Sequence, residues 1–243
     1  MNVYSSDGSH LIVSGDPLQT LINCEGYYTC PLGNDGMPIG PIVGYTGDYA
    51  DIDGKKKKYV GLTYFNFSKA DMWPAVLTLF ANMMVETLDS RGVSPTIILG
   101  APWAGVKFSQ EVAAILGCRH VFAEKEGNRI FLGRYEGAIN AGDRVLIGEE
   151  LVNNLSTSGK LCQIIKNAGA NVIAIQCAIN RSFPFQEEFF FEGIGVPIVA
   201  VVERETPQYR QDDLLVADAI KDDNVVWKPK NEWARLRNAM KTR

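Results

Sequence analysis

Residues 144–160, RVLIGEELVNNLSTSGK, set two adjacent carboxylates, Glu149 and Glu150, at the end of an apolar run. A turn rich in amides and hydroxyls follows. The chain then enters a segment in which Leu161, Ile164, Ile165 and Ala168 recur at helical spacing. A strand, turn and helix in that order leave unpaired N–H groups and the positive end of a helix dipole facing out of the turn, where an anion is stabilised. Ser156, Thr157 and Ser158 add hydroxyl donors there, and Asn153 and Asn154 add amides. Two carboxylates just upstream accept hydrogen bonds from vicinal hydroxyls, so phosphate donors and diol acceptors together suit a ribose 5-phosphate. Taken alone, the same residues also read as a capped helix beside two solvated carboxylates, and the turn lacks the glycines usual in phosphate loops.

The elements that must position such a turn are legible from residue 96 onward. Apolar runs alternate with amphipathic segments, the pattern of parallel strands covered on both faces. TIILGA at 96–101 reads as a strand and Ser109 to Leu116 as a helix. HVFAEKE and RVLIGEE bracket a loop, 127–143, and a helix over 158–168 leads into the strands NVIAIQCAI and VPIVAVVE. In an open α/β sheet, ligands bind beyond the carboxyl ends of the strands. That rule selects Gly100 to Gly105, Glu124 to Glu126, Gly148 to Thr157 and Asn180 to Ser182.

Upstream, the first 59 residues are rich in Gly, Pro, Asp and Tyr and predict short strands and loops. VGLTYFNF, 60–67, reads as one strand, with Ser68 and Asp71 as a capping box for a helix carrying Met72, Val76, Leu79, Phe80, Met83 and Leu88 on one face. Asn231 with Trp233, Leu236 and Met240 predicts a terminal helix. The expected organisation is a small β-rich cap over 1–59 and a core over 60–243 that includes this helix.

Composition excludes several classes of function. A length of 243 residues with 46 % hydrophobic residues supports a sizeable core, and a formal charge of −4 leaves no electrostatic footprint for nucleic acid. The basic run Lys55 to Lys58 reads as a solvated hairpin tip. No stretch is apolar enough to span a membrane and no leader pattern is present, so the expected location is cytoplasmic. Five cysteines without a CxxC pair read as reduced structural thiols, and two histidines give little material for a metal site or a Ser-His-Asp triad.

Four ordered segments carry a resemblance. VLIGEELVNNLST resembles the phosphoribosyl pyrophosphate motif of the type I phosphoribosyltransferases, in which an apolar strand, an acidic pair and a five-residue turn precede a helix. TIILGAPWAG is similar to the pyrophosphate loop of orotate phosphoribosyltransferases, and ILGCRHVFAEKEG to the segment that leads into their mobile catalytic loop. LTYFNFSKADM resembles their substrate-side strand. The resemblance covers about residues 60–205. It implies a three-layer α/β fold with a mainly parallel central sheet, and transfer of ribose 5-phosphate from phosphoribosyl pyrophosphate to a nucleobase, orotate or a related pyrimidine or purine.

By position, the resemblance implies that Glu149 and Glu150 hold the ribose hydroxyls while Asn153, Asn154, Leu155, Ser156 and Thr157 cradle the 5-phosphate. Ala101, Pro102, Trp103, Ala104 and Gly105 line the pyrophosphate, and Lys125 and Arg129 supply catalytic cations. Tyr64, Phe65 and Arg181 face the base. It also implies magnesium on the pyrophosphate, with no protein ligand identified, and a homodimer whose loop 127–140 closes over a neighbouring site.

Several positions depart from the family pattern. The acidic pair is Glu-Glu, one methylene longer per side chain, a shift of roughly an ångström that can cost on the order of a hundredfold in rate. Leu155 stands where the turn has Gly, so a positive φ is strained there and close approach of phosphate is hindered. Glu124 replaces an Arg and Ala104 a Lys of the pyrophosphate side, and Asn128 stands at the catalytic Lys, with Arg129 and Arg134 nearby. NRSFPF, 180–185, keeps Arg181 but lacks the second Arg that meets orotate. These departures leave open a protein that keeps the fold and binds a nucleotide or sugar phosphate without transferring it.

Overall fold

The computed structural model describes residues 2–4 and 10–241. Residues 1, 5–9, 242 and 243, which fall in the expected cap and core segments, lie outside the described residues. The chain divides into two compact units, one of residues 1–17 and 71–205 and a smaller one of 18–70 and 206–243. The expected boundary after residue 59 thus falls inside the smaller unit, and the C-terminal helix belongs there too. The reason is packing: buried Ile42, Val43 and Val60 share one apolar cluster with Val216, Val226, Trp233 and Leu236.

The larger unit is built on a six-stranded sheet. In chain order we label its strands β1 (Ile97–Gly100), β2 (Arg119–Phe122), β3 (Arg144–Val152), β4 (Asn171–Asn180), β5 (Glu188–Phe191) and β6 (Ile194–Glu203). Their spatial order is β5-β6-β4-β3-β1-β2, parallel throughout except for the antiparallel pair β5-β6. Near-continuous apolar runs form β1, β3, β4 and β6 because both faces are covered. Helices α1 (Pro74–Ser90) and α2 (Gly105–Leu116) pack on one face, and α3 (Ser156–Asn167) on the other. The result is the expected three-layer arrangement. Under α3, one cluster joins Leu99, Val145, Ile147, Ile175, Cys177 and Ile198 of the strands to Leu161, Cys162 and Ile165 of the helix.

The chain runs outward from β1 to β2 on one side, then returns to the other side of β1 for β3 and continues outward to β4 and β6. The order therefore reverses between β1 and β3. A crevice opens at such a switch point beyond the carboxyl ends of the two strands. The residues that leave those ends are the 101–105 turn and the 149–158 turn.

Three local expectations are corrected. The helix expected from Ser68 is divided into Ser68–Asp71 and α1, which starts with Pro74 at its first position and Trp73 extended ahead of it. The single strand expected over 60–67 is two strands, Lys56–Gly61 and Thr63–Phe65, which pair with different partners. The expected loop 127–143 folds in part: Glu124–Glu126 and Arg129–Phe131 form an antiparallel hairpin, and Leu132 and Ile139 are buried in the main cluster. Among the described residues no helix is long and apolar enough to cross a membrane.

Candidate active site at the switch point

The 149–158 turn encloses a cavity of about 80 Å³ lined by Glu149, Leu151, Val152, Asn153, Asn154, Leu155, Ser156, Thr157 and Ser158. Drug-sized ligands need several hundred Å³, so this space holds a group the size of a phosphate and leaves the rest of a ligand outside. It lies at the N-terminus of the 12-residue α3, where the first N–H groups have no partner inside the helix. The Ser156 N–H is turned to the Asn154 Oδ1 at 3.3 Å, a local turn that leaves the following N–H groups for an anion. Asn153 Oδ1 is buried without a hydrogen-bond partner. Since the two ends of an amide exchange by a half-turn, that position can present either an acceptor or an N–H to a ligand.

Leu155 takes φ +56 and ψ 14, the left-handed conformation that glycine adopts at least cost. The expected strain is thus present, and the turn keeps its path because the side chain, 6 % exposed, is anchored in the cluster with Val152, Leu161 and Ile165. Burial of a leucine outweighs the roughly 1–2 kcal/mol that a left-handed residue costs.

Glu149 lines the cavity and lies opposite Cys177 of β4 in the sheet register. The Ser158 hydroxyl donates to Glu149 Oε1 at 3.1 Å. Burial pushes the Glu149 carboxyl up to about 7, the Ser158 bond opposes that rise, and the Glu150 charge adds to it. Burial, then the charge of Glu149, pushes the Cys177 thiol up, so Cys177 is an inert neighbour. Glu150, next on the strand, does not line the cavity. In the sequence Ser158 is one of three hydroxyls; its contact with Glu149 follows from the bend that brings the first turn of α3 back over the end of β3.

The 101–105 turn stands beside it. The Ala101 N–H donates to the Gly148 carbonyl at 2.7 Å, and the turn opens α2 with Ala104 as its cap residue. The approach is so close that a Cβ on Gly105 would meet the Gly148 carbonyl oxygen, and one on Gly148 the Ser109 side chain. The peptide bond between Pro102 and Trp103 is cis. Trp103 is 61 % exposed, and Lys107, on the first turn of α2, is paired with Asp71 at 3.4 Å. This turn therefore offers a helix N-terminus and backbone N–H groups, with no side-chain cation of its own.

Neither Lys125 nor Arg129 lines the cavity. Arg129 lies over the Phe131 ring at 5.0 Å and lines a groove with Ile164, Asn167 and Ala168. Those residues mark the far end of α3, about 15 Å along the helix from the cavity. The tip of the hairpin is tied to the first half of α3 by the Lys160 Nζ, which donates to the Asn128 carbonyl at 2.8 Å. Glu124, the charge reversal, pairs with Arg134 at 2.9 Å, and that hydrogen bond holds its carboxyl below the usual range. Arg181 follows β4 at the same sheet edge, 8 % exposed, with its N–H on the Val152 carbonyl at 3.0 Å. In the smaller unit Phe65 is 3 % exposed against Tyr27, and Tyr64 packs near Trp233 at 6.2 Å between ring centres. Both rings thus pack within that unit.

The chain is similar to orotate phosphoribosyltransferases. It is 31 % identical over 137 residues to that of Phenylobacterium zucineum, covering 55 % of this chain and 67 % of the relative. The chain belongs to the type I phosphoribosyltransferase family. The orotate phosphoribosyltransferase of Caldanaerobacter subterraneus is 26 % identical over 152 residues, which is 62 % of this chain and 75 % of the relative. The chain spans about 60 % of the length of several other curated phosphoribosyltransferases that it matches. The Leishmania donovani UMP synthase structure aligns over 96 % of this chain and 43 % of that one, at 18 % identity and TM-score 0.54, a likeness of fold. No family model matches the chain.

Proposed function

We propose that this phosphoribosyltransferase-family protein transfers ribose 5-phosphate from phosphoribosyl pyrophosphate to a nucleobase of the orotate class. A bond forms between a base nitrogen and C1 of the ribose, while the C1–O bond breaks and pyrophosphate leaves with its electron pair. In this reading the N-terminus of α3, with Asn153 to Thr157, takes the 5-phosphate, and Glu149 and Glu150 take the ribose hydroxyls. Their charge also favours the cationic ribose of an oxocarbenium-like transition state. The backbone of 101–105 and the end of α2 take the pyrophosphate. The cavity at the 149–158 turn, with its part-buried carboxylate and orphaned amide, is the observation that carries the reading.

Among the described residues no group of three or more His, Cys, Asp or Glu side chains could hold a metal ion. In this proposal magnesium enters with the donor, on pyrophosphate and ribose oxygens. Arg181 is the residue we assign to an anionic base. A homodimer, in which residues of a neighbouring copy complete the site, is part of the same proposal. The test is turnover: the protein with magnesium, phosphoribosyl pyrophosphate and orotate is expected to release pyrophosphate and form the nucleotide. Turnover with adenine or another purine in place of orotate would reassign the base.

A second reading, binding of a nucleotide or sugar phosphate without transfer, is favoured by one observation. Glu124 of the hairpin is paired with Arg134, and neither Lys125 nor Arg129 lines the cavity. Tight binding of a nucleoside monophosphate with no turnover on any base would select it.

A further inference from the structure

Glu149 and Ser158 are nine positions apart, one on the last turn-ward stretch of β3 and the other in the first turn of α3. Both line the same cavity. Ser158 is 1 % exposed, so its hydroxyl is largely withdrawn from bulk water and a protein acceptor satisfies it. Glu149 Oε1 at 3.1 Å is that acceptor. A glutamate has three side-chain torsions and two oxygens; fixing Oε1 to the helix orders the chain and leaves Oε2 to accept from a ligand.

We propose that Ser158 is a positioning residue: its hydroxyl ties the Glu149 carboxylate to the first turn of α3, so that the acceptor for the ribose diol and the donors for the 5-phosphate are held as one rigid unit. This rests on the proposed reading of the cavity as a ribose 5-phosphate site. The tie answers the extra methylene of Glu149, because a longer side chain bound at one oxygen is restrained where a free one would wander. It also favours the ionised carboxylate against burial and against its charged neighbour. The groups that face Glu149 are Glu150 on its own strand, Cys177 across on β4 with Glu203 beyond it, and Ser158 on the helix. Of these, Ser158 is the one that stabilises the charge.

The experiment compares the wild-type protein with Ser158→Ala and Ser158→Thr. Ribose 5-phosphate and inorganic phosphate binding are measured by calorimetry from pH 5.5 to 8.5 (roughly one to two units either side of a Glu149 midpoint near 7), and the Glu149 carboxyl is titrated by carbon NMR without ligand. Ser158→Ala is expected to weaken ribose 5-phosphate about fivefold to tenfold, to raise the carboxyl midpoint by roughly half a pH unit or more, and to leave inorganic phosphate unchanged. Ser158→Thr, which keeps the hydroxyl, is expected to restore both. Unchanged ribose 5-phosphate affinity and midpoint in Ser158→Ala would overturn the tie and leave the site standing. Equal loss of inorganic phosphate would overturn it as well, by showing damage to the helix end. If the wild-type protein binds no ribose 5-phosphate, the function fails, and the ligand-free titration alone then decides the tie.

Discussion

Two turns leave adjacent parallel strands at the switch point, and they are furnished differently. The 149–158 turn carries a carboxylate bound by a buried hydroxyl, further hydroxyls, two amides and a cavity of about 80 Å³. The 101–105 turn carries Ala, Pro, an exposed Trp, Ala and Gly, and its one nearby lysine is paired elsewhere. Backbone geometry has been kept in both, down to the contact between Gly105 and Gly148. Side-chain chemistry has been kept in one. In the proposed reading the chain itself supplies the groups for sugar and phosphate, whereas charge for a departing pyrophosphate has to come from backbone dipoles and from whatever cation accompanies the donor.

Replacing Glu149 separates the two turns most sharply. Glu149→Gln is expected to lower transfer by about two to three orders of magnitude, the loss seen when one preorganised transition-state group is removed. The same variant should stabilise the fold at neutral and higher pH. A carboxyl at about 7 in the folded state, against about 4.5 for an ordinary one, keeps its proton where the unfolded chain has lost it. Stability thus falls as pH rises from about 4.5 to 7, by at most about 3 kcal/mol, and Glu149→Gln should remove that slope in urea titrations. Activity, which needs the carboxylate, should rise through the same window.

Next in size is Gly148→Ala. Its Cβ would meet Ser109 and push the two turns apart, and displacement near an ångström is expected to lower transfer about a hundredfold with little change in far-ultraviolet circular dichroism. Leu155→Gly tests which effect wins in the phosphate turn. Relief of left-handed strain gives back about 1 kcal/mol, whereas loss of a buried leucine costs about 3, so a net destabilisation of about 2 kcal/mol is expected in denaturant unfolding. Phosphate affinity should survive it at conditions where the protein is folded. The smallest effect is the most constructive: Ala104→Lys, adding a cation to the bare turn, should raise pyrophosphate affinity about tenfold by calorimetry.

Much of this was legible in the chain. The alternation of apolar runs with amphipathic segments from residue 96 located β1, β3, β4, β6 and α3, because strands covered on both faces must be apolar throughout. The acidic pair and the turn after β3 were visible because both kinds of group sit where an apolar strand stops. Other features needed the third dimension. The edge strand β5 lacks the long apolar run of its neighbours, although Glu192 and Gly193, both at positive φ, form a tight hairpin turn beside three phenylalanines. The apolar alternation in RIFL hid a hairpin inside what read as an open loop, and with it the reason Arg129 stays at the far end of α3. The Ser158 contact could not be read from spacing, since strand and helix meet there only after the chain has turned. Residues 206–243 join the smaller unit through contacts between Val225–Val226 and Ile42–Val43, a pairing too short to announce itself in sequence.

The most direct measurement is a crystal structure grown with ribose 5-phosphate. The account predicts the phosphate at the N-terminus of α3 among Asn153 to Thr157, and the ribose diol within hydrogen-bond distance of Glu149 or Glu150. Solvent alone in that cavity, with the sugar bound elsewhere or absent at saturating concentration, would contradict it.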